Sequence, residues 1–491
     1  MALRRYGYGD AQSAVDTVNP VAKANRVEYR RGPLTEWYVN GPLGLEQGFT
    51  IRERLRPELR RANHGQRQTT SASMLTIALA LTGDLAVRVD RESKSLTLIN
   101  TLGSPTLRYT GLGAHDAKGN ELLTWMEVRG GELRLRVDDA GALYPVVFDP
   151  VVQLAELTAS DGASSDDFGA SAAISGDTVV VGAPEGYPEV SGPGAIYIFV
   201  RPSNGWANMT QTAKLTASDG VTGDLLGSSV SIDGGTIVAG APNAAVGSNQ
   251  LQGAVYLFVE PAGGWVDMTE TAKLTASDGA YQDNLGLSTS ISGNTVVAGA
   301  PGANSLSGAA YVFVKPPSGW ADMSQRAKLT TSEGQADGEL GWSVSVSGKT
   351  IAAGAPAIIN TLFPGAAYVY VRPASGWANT TQTGTLTASD GQAGDRLGYS
   401  VAIDGDTVLA GAPFATTFGQ PGSEQGAAYV FVEPSSGWTN GTQTAKLTAG
   451  NGQVGDQLGR SVSMSIKAAV AGAWRANNLQ GRVYVYLKPP N

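Results

Sequence analysis

The phrase Ala-Lys-Leu-Thr-Ala-Ser-Asp-Gly, or a close variant, returns six times along this chain, with its leucine at Leu157, Leu215, Leu274, Leu329, Leu386 and Leu447. Successive leucines lie 58, 59, 55, 57 and 61 residues apart. A period of that length, held over six copies, means one supersecondary unit repeated, each copy burying its apolar surface against the next.

Every copy carries the same four apolar runs. In the third, Ser288-Thr-Ser-Ile291 passes through Ser-Gly-Asn into Thr295-Val-Val-Ala-Gly-Ala-Pro301. A variable loop then leads to Gly308-Ala-Ala-Tyr-Val-Phe-Val314, a Gly-Trp pair at Trp320, and Ala327-Lys-Leu-Thr330. Gly-Asn between β-prone runs marks a tight hairpin, and Pro301, with no N–H to give, ends its strand. The third run is apolar on both alternating faces, as a strand buried on both sides must be. Four short strands per unit, repeated, is the pattern of a propeller with radial four-stranded blades. The last copy stops after its third strand, at Tyr484 to Leu487, and a spare fourth-strand segment, 152–158, precedes the first copy. The sequence thus predicts an all-β fold whose residues 151–491 form a six-bladed propeller of four-stranded blades, closed into a ring by strand 152–158.

Phe168-Gly169 followed by Gly182-Ala-Pro184 resembles the cassette that gives the FG-GAP repeats of integrin α-subunit heads their name. Gly-Ala-Pro recurs at 240–242, 299–301, 354–356 and 411–413, and becomes Gly472-Ala-Trp474 in the sixth copy. Phe-Gly becomes Leu-Gly at 226–227, 285–286, 340–341, 397–398 and 458–459. The chain looks most like the bacterial FG-GAP subfamily, and the resemblance implies a surface or exported protein that binds rather than catalyses.

Residues 1–150 lack the repeat. The first 25 residues are expected to be a disordered lead-in. Arg26 to Arg30, Glu36 to Val39, Leu75 to Leu81, Leu85 to Val89, Leu96 to Ile99 and Glu132 to Val137 read as strands of a β-sandwich-like domain over 26–150. Polar residues 62–73 read as a mobile loop. A basic start, Met1-Ala-Leu-Arg-Arg-Tyr, is followed by no apolar stretch, so no signal peptide is visible. Export would then imply a truncated N-terminus. No run approaches the ~18 apolar residues of a membrane-spanning helix.

Charge narrows the partners. Of 35 basic and 43 acidic residues, 20 and 17 lie in residues 1–150, leaving 15 and 26 for the repeats. An array so acidic is a poor match for nucleic acid, whose phosphates need clustered cations. Cysteine is absent, which removes disulfides and thiolate chemistry. The only histidines, His64 and His115, sit in no catalytic motif.

Two repeated features remain as candidate sites. Acid pairs Asp219 and Asp224, Asp278 and Asp283, and Asp390 and Asp395 could hold calcium, but two carboxylates fall short of six to eight oxygens. Turn formation is their preferred reading. Hairpins such as Ser347-Gly-Lys349 are too short to wrap an ion, so the family's metal residues do not carry over, and no cofactor is expected. Trp206, Trp265, Trp320, Trp377 and Trp438 could form sugar-stacking platforms, as in a propeller lectin, or cover the outer strands of their own blades. Asn208, Asn379 and Asn440 head Asn-x-Thr sequons. The expected function is binding or adhesion at the cell surface through the loops after Gly-Ala-Pro, with a protein or matrix ligand. A lectin and a purely structural module are the alternatives.

Overall fold

A computed structural model of the chain describes all residues except 1, 9–10, 24–25, 42–43, 56–73, 82–85, 90–95, 100–104, 110–111, 119, 121, 150–151, 154, 186–191, 204–205, 207, 333–336, 360–361, 417–423, 466–467 and 488–491. The expected loop at 62–73 and His64 lie outside the described residues. Strands dominate, and the one helix among the described residues is the short Ala476–Leu479. Two compact units divide the chain: residues 1–157 with 202–209, and residues 158–201 with 210–491.

In the first unit, Ala2–Tyr8 pairs antiparallel with both Ala11–Ala14 and Leu75–Ala80. Strands Ala2–Tyr8, Ala11–Ala14 and Val21–Lys23 thus lie where a disordered lead-in was expected. Arg4 and Arg5 masked a strand whose Leu3 and Tyr8 are buried, and Arg5 is held by Glu132 at 2.6 Å. This strand belongs to a five-stranded sheet; a six-stranded sheet and a four-stranded sheet complete the unit. One core joins all three, with Ile77, Leu79 and Leu135 from the first, Leu34, Phe49 and Phe148 from the second, and Leu96 from the third.

The second unit repeats one sheet. In the second copy, Ser229–Asp233, Thr236–Ala241, Ala254–Val259 and Ala272–Thr275 run antiparallel in that order. A two-residue strand from the following copy, Met323–Ser324, then adds in parallel beside Ala272–Thr275. The first strands of successive sheets pack against one another from copy to copy.

What joins the sheets is a contact between two glycines chosen for different reasons. The glycine of each Leu-Gly lies at positive φ (95° at Gly227, 94° at Gly286), a conformation open to glycine at no steric cost. Its N–H bonds the Gly-Ala-Pro glycine of its own repeat, Gly227 to Gly240 at 3.0 Å. Its carbonyl accepts the first-strand serine of the preceding repeat: Ser171 to Gly227 at 2.7 Å, Ser229 to Gly286 at 2.8 Å, Ser288 to Gly341 at 2.9 Å, Ser343 to Gly398 at 2.8 Å and Ser400 to Gly459 at 2.9 Å. The preceding Gly-Ala-Pro glycine presses on that same carbonyl: a Cβ on Gly240 would stand 1.8 Å from the Gly286 oxygen, and one on Gly182 2.0 Å from that of Gly227. One glycine must turn and the other must be bare.

The array does not close as expected. Arg482–Leu487 ends the three-stranded sixth sheet, and Val483, Val485 and Leu487 are exposed along it. Among the described residues, no strand pairs with its outer edge. Val152–Gln153 pairs instead with Pro105–Tyr109. Leu157–Thr158 pairs with Met209–Thr210, the pairing that Leu215–Thr216 makes with Met268–Thr269 one repeat later. Leu157–Thr158 thus follows the repeat-to-repeat rule, and Val152–Gln153 joins the first unit, rather than closing a ring.

Gly240→Ala should cost about 2–3 kcal/mol in urea unfolding, because backbone must retreat from the new methyl. In the sixth copy a Cβ on Gly472 would meet only the Ser461 hydroxyl, at 2.5 Å. Gly472→Ala should therefore cost well under half as much, and equal losses would show that the glycine contact is not what joins the sheets.

Candidate functional site

Four of the repeated tryptophans are core residues, not platforms. Trp265, Trp320, Trp377 and Trp438 are 5%, 8%, 2% and 4% exposed. Each lies in a cluster that spans two sheets: Trp265 packs with Ile198, Ala213 and Leu215 of the preceding sheet as well as Phe258 of its own. A ring so enclosed has no free face to stack on a sugar, against the assignment as ligand-binding residues; each covers its own sheet, as the alternative expected, and the preceding sheet as well. Trp206, which has no earlier repeat before it, is half-buried. Residues just after each tryptophan tie the same seam. Asn379 and Asn440 accept the N–H groups of Lys328 and Thr385, and Asp267 and Asp322 do likewise for Lys214 and Lys273. Asn208, at the head of the first sequon, accepts the Glu156 N–H.

The acid pairs are split between two tasks. Asp219, Asp278 and Asp390 each hold a lysine of the following repeat: Lys273 at 2.6 Å, Lys328 at 2.7 Å and Lys446 at 2.6 Å. Each ammonium also lies over a tyrosine ring, that of Tyr256, Tyr311 or Tyr429. Burial pushes these three carboxyls up, yet the lysine contacts win and leave them below the ordinary value. Asp224, Asp283 and Asp395 are buried and close their own turns, accepting the N–H of Val221, Ala280 or Gln392. Burial raises these carboxyls above the ordinary value. Among the described residues, no group of three or more His, Asp or Glu side chains is gathered as a metal site.

The differences between copies gather at the end of the sheets where the glycines meet. The residue before Phe-Gly or Leu-Gly is Asp167, Leu225, Asn284, Glu339, Arg396 or Gln457, and all six hold φ between 53° and 62°. L-residues pay roughly 1–2 kcal/mol for that conformation, so the array keeps six different side chains in one costly pose. The residue after it is Ala170, Ser228, Leu287, Trp342, Tyr399 or Arg460. Both positions meet the start of the loops after Gly-Ala-Pro: Leu225, Ser228, Asn243, Asn284, Leu287, Gly302, Glu339 and Trp342 line one open cleft of 290 Å³. Further along, aromatic rings and guanidinium groups run from repeat to repeat. Trp342 lies 5.7 Å from Tyr399, Arg460 covers Tyr399 at 4.5 Å and Trp474 at 5.5 Å, and Arg396 covers Phe414 at 4.2 Å. Sequence reasoning pointed to the loops and missed the flanks of Leu-Gly; aligning the six copies on that dipeptide would have exposed them. His115 is exposed on a short strand, and no helix among the described residues is long and apolar enough to cross a membrane.

Sheets locked glycine to glycine, with variable side chains set beside each lock, define a β-repeat array with a conserved frame and a divergent face. The FG-GAP repeat family matches residues 151–199, 209–258, 268–313, 323–370, 380–431 and 441–486, more than half of the chain, and the chain belongs to that family. None of the curated proteins matches it. Among solved structures, hydrazine synthase of Kuenenia stuttgartiensis is similar over 86% of this chain and 99% of its own, at 14% identity and a TM-score of 0.38, too loose a likeness to carry an argument.

Two variants test these roles. Trp377→Ala should lower stability by about 3–5 kcal/mol, as truncation of a packed tryptophan does; a small loss would mean the ring is dispensable to the seam. A carboxyl whose pKa is raised on folding costs stability above that pKa, a cost that disappears as pH falls through it to the unfolded value, so Asp224→Asn should stabilise at about pH 7 and lose that advantage by about pH 3. Unfolding at both values checks the sign.

Proposed function

We propose that this is a non-enzymatic binding or adhesion protein of the cell surface or extracellular space: a propeller-like FG-GAP array preceded by a β-sandwich-like domain, contacting a protein or matrix ligand. One observation carries the reading. The six copies agree wherever the sheets are joined and differ at the end where Leu-Gly and Gly-Ala-Pro emerge. Frame residues repeat because every seam has the same geometry. Face residues diverge because each meets a different part of a partner. Trp342, Tyr399 and Arg460 are half-buried or exposed, and tryptophan, tyrosine and arginine are the residue types that dominate protein–protein binding energy. FG-GAP membership supports a binding module over an enzyme, and the buried tryptophans disfavour a lectin built on them.

A binding screen of the intact chain against matrix proteins and glycans, repeated with Trp342→Ala and Arg460→Ala, tests the proposal. The parent should bind a protein ligand, and both variants should lose binding while melting like the parent. Variants that bind as well as the parent would remove the face from the site. Calcium should leave the fold unaffected: melts in millimolar calcium and in EDTA should agree within about a degree, since even ~1 kcal/mol shifts a transition by several degrees.

A further inference from the structure

We infer a second binding site, for an acidic saccharide, at the opposite end of the third and fourth sheets. Lys315, Arg326, Lys349 and Arg372 share one cleft of 710 Å³, walled by Pro316, Pro317 and Pro373. No acid lines it. Among the described residues, none of the four cations has a carboxylate within ion-pair distance, whereas Arg201, at the position equivalent to Lys315 and Arg372, pairs with Asp177 at 3.0 Å. All four side chains are exposed, and they converge in an array with 26 acidic and 15 basic residues.

The cleft is an exception the repeat had to make. At the position of Lys349, the other copies carry Asp177, Gly235, Asn294, Asp406 and, in the sixth, Lys467. At that of Arg326, the first copy carries Leu154 and the rest carry Thr212, Thr271, Thr383 and Thr444, whose hydroxyls accept the N–H of Val200, Val259, Val371 and Val432. Arg326 gives up that hydrogen bond to place a guanidinium in the cleft. A local rule broken without structural return is the mark of a functional position. Backbone bonds fix where the cations begin: Lys315 N–H to Asn294, Arg326 to Val312, and Arg372 to Lys349.

Four like charges in one cleft repel, and an anion relieves them. Arginine offers a carboxylate or sulfate two parallel N–H bonds, and the lysines add point charge. The apolar wall of Pro316, Pro317 and Pro373 suits the C–H face of a sugar ring, which a bare inorganic ion would leave unused. The ligand chemistry is therefore a sugar bearing carboxylate or sulfate groups. Lys349 and Arg372 lie at the hairpin end of their strands, remote from the Leu-Gly end, so this site is independent of the proposed protein-binding face.

Titration calorimetry of the intact chain with a heparin-derived hexasaccharide, a polygalacturonate oligomer, neutral dextran and inorganic sulfate tests it. One or both acidic sugars should bind, weakening as salt rises to about 0.5 M; dextran should not bind. Lys349→Asp with Arg326→Thr, residues that other copies already carry in the same fold, should weaken binding at least about tenfold with an unchanged melt. Arg460→Ala should leave saccharide binding intact, which separates failure here from failure at the other face. Sulfate binding as tightly as the sugars, or the double variant binding like the parent, would overturn the proposal.

Discussion

Everything in the repeat array depends on one close approach, a bare α-carbon set against a carbonyl oxygen of the next copy. Hydrophobic burial supplies most of the energy in each seam, but it is non-directional and would tolerate many offsets between sheets. The serine-to-glycine hydrogen bond and the absence of a Cβ remove that freedom. Once the two backbones meet, alanine, valine and phenylalanine side chains of adjacent sheets pack in one register, and the tryptophan of each later copy settles into the seam. The Lys–Asp–Tyr contacts and the Asn and Asp acceptors decorate a geometry already fixed.

Much of this was legible in the sequence. The period, the four strands per copy, the two-residue hairpins and the family followed from recurrent Leu-Thr, Gly-Asn and Gly-Ala-Pro signals, because local rules decide them. Where tertiary packing decides, the reading failed. Trp265 looked like a surface aromatic because it follows a glycine in a turn-rich stretch; only the neighbouring sheet encloses it. Arg4 and Arg5 made a paired strand look solvated. Segment 152–158 was expected to complete the last sheet; its pairings with Pro105–Tyr109 and Met209–Thr210 are set by packing that local sequence does not encode. Of the candidate metal acids, three are held by lysines 50 to 56 residues away, a pairing invisible without the sheet order.

The two ends of the sheets divide the labour. At the glycine end, side chains differ in every copy and rings lie against guanidinium groups across seams. At the hairpin end the charge varies from copy to copy, and in the third and fourth sheets four cations meet in one cleft. Frame and contact surface are thus separated within each copy of about sixty residues, so change at one leaves the other intact.

The glycine contact also gives each copy a donor side and an acceptor side of identical form. Any copy can follow any other without a new interface having to arise. A gene carrying such units can gain or lose one by unequal crossing-over and still encode a chain whose neighbours fit. The near-identity of the Gly-Ala-Pro strands beside the divergence of Asp167, Leu225, Asn284, Glu339, Arg396 and Gln457 is the record expected of duplication followed by drift. Selection held the joints and released the tips.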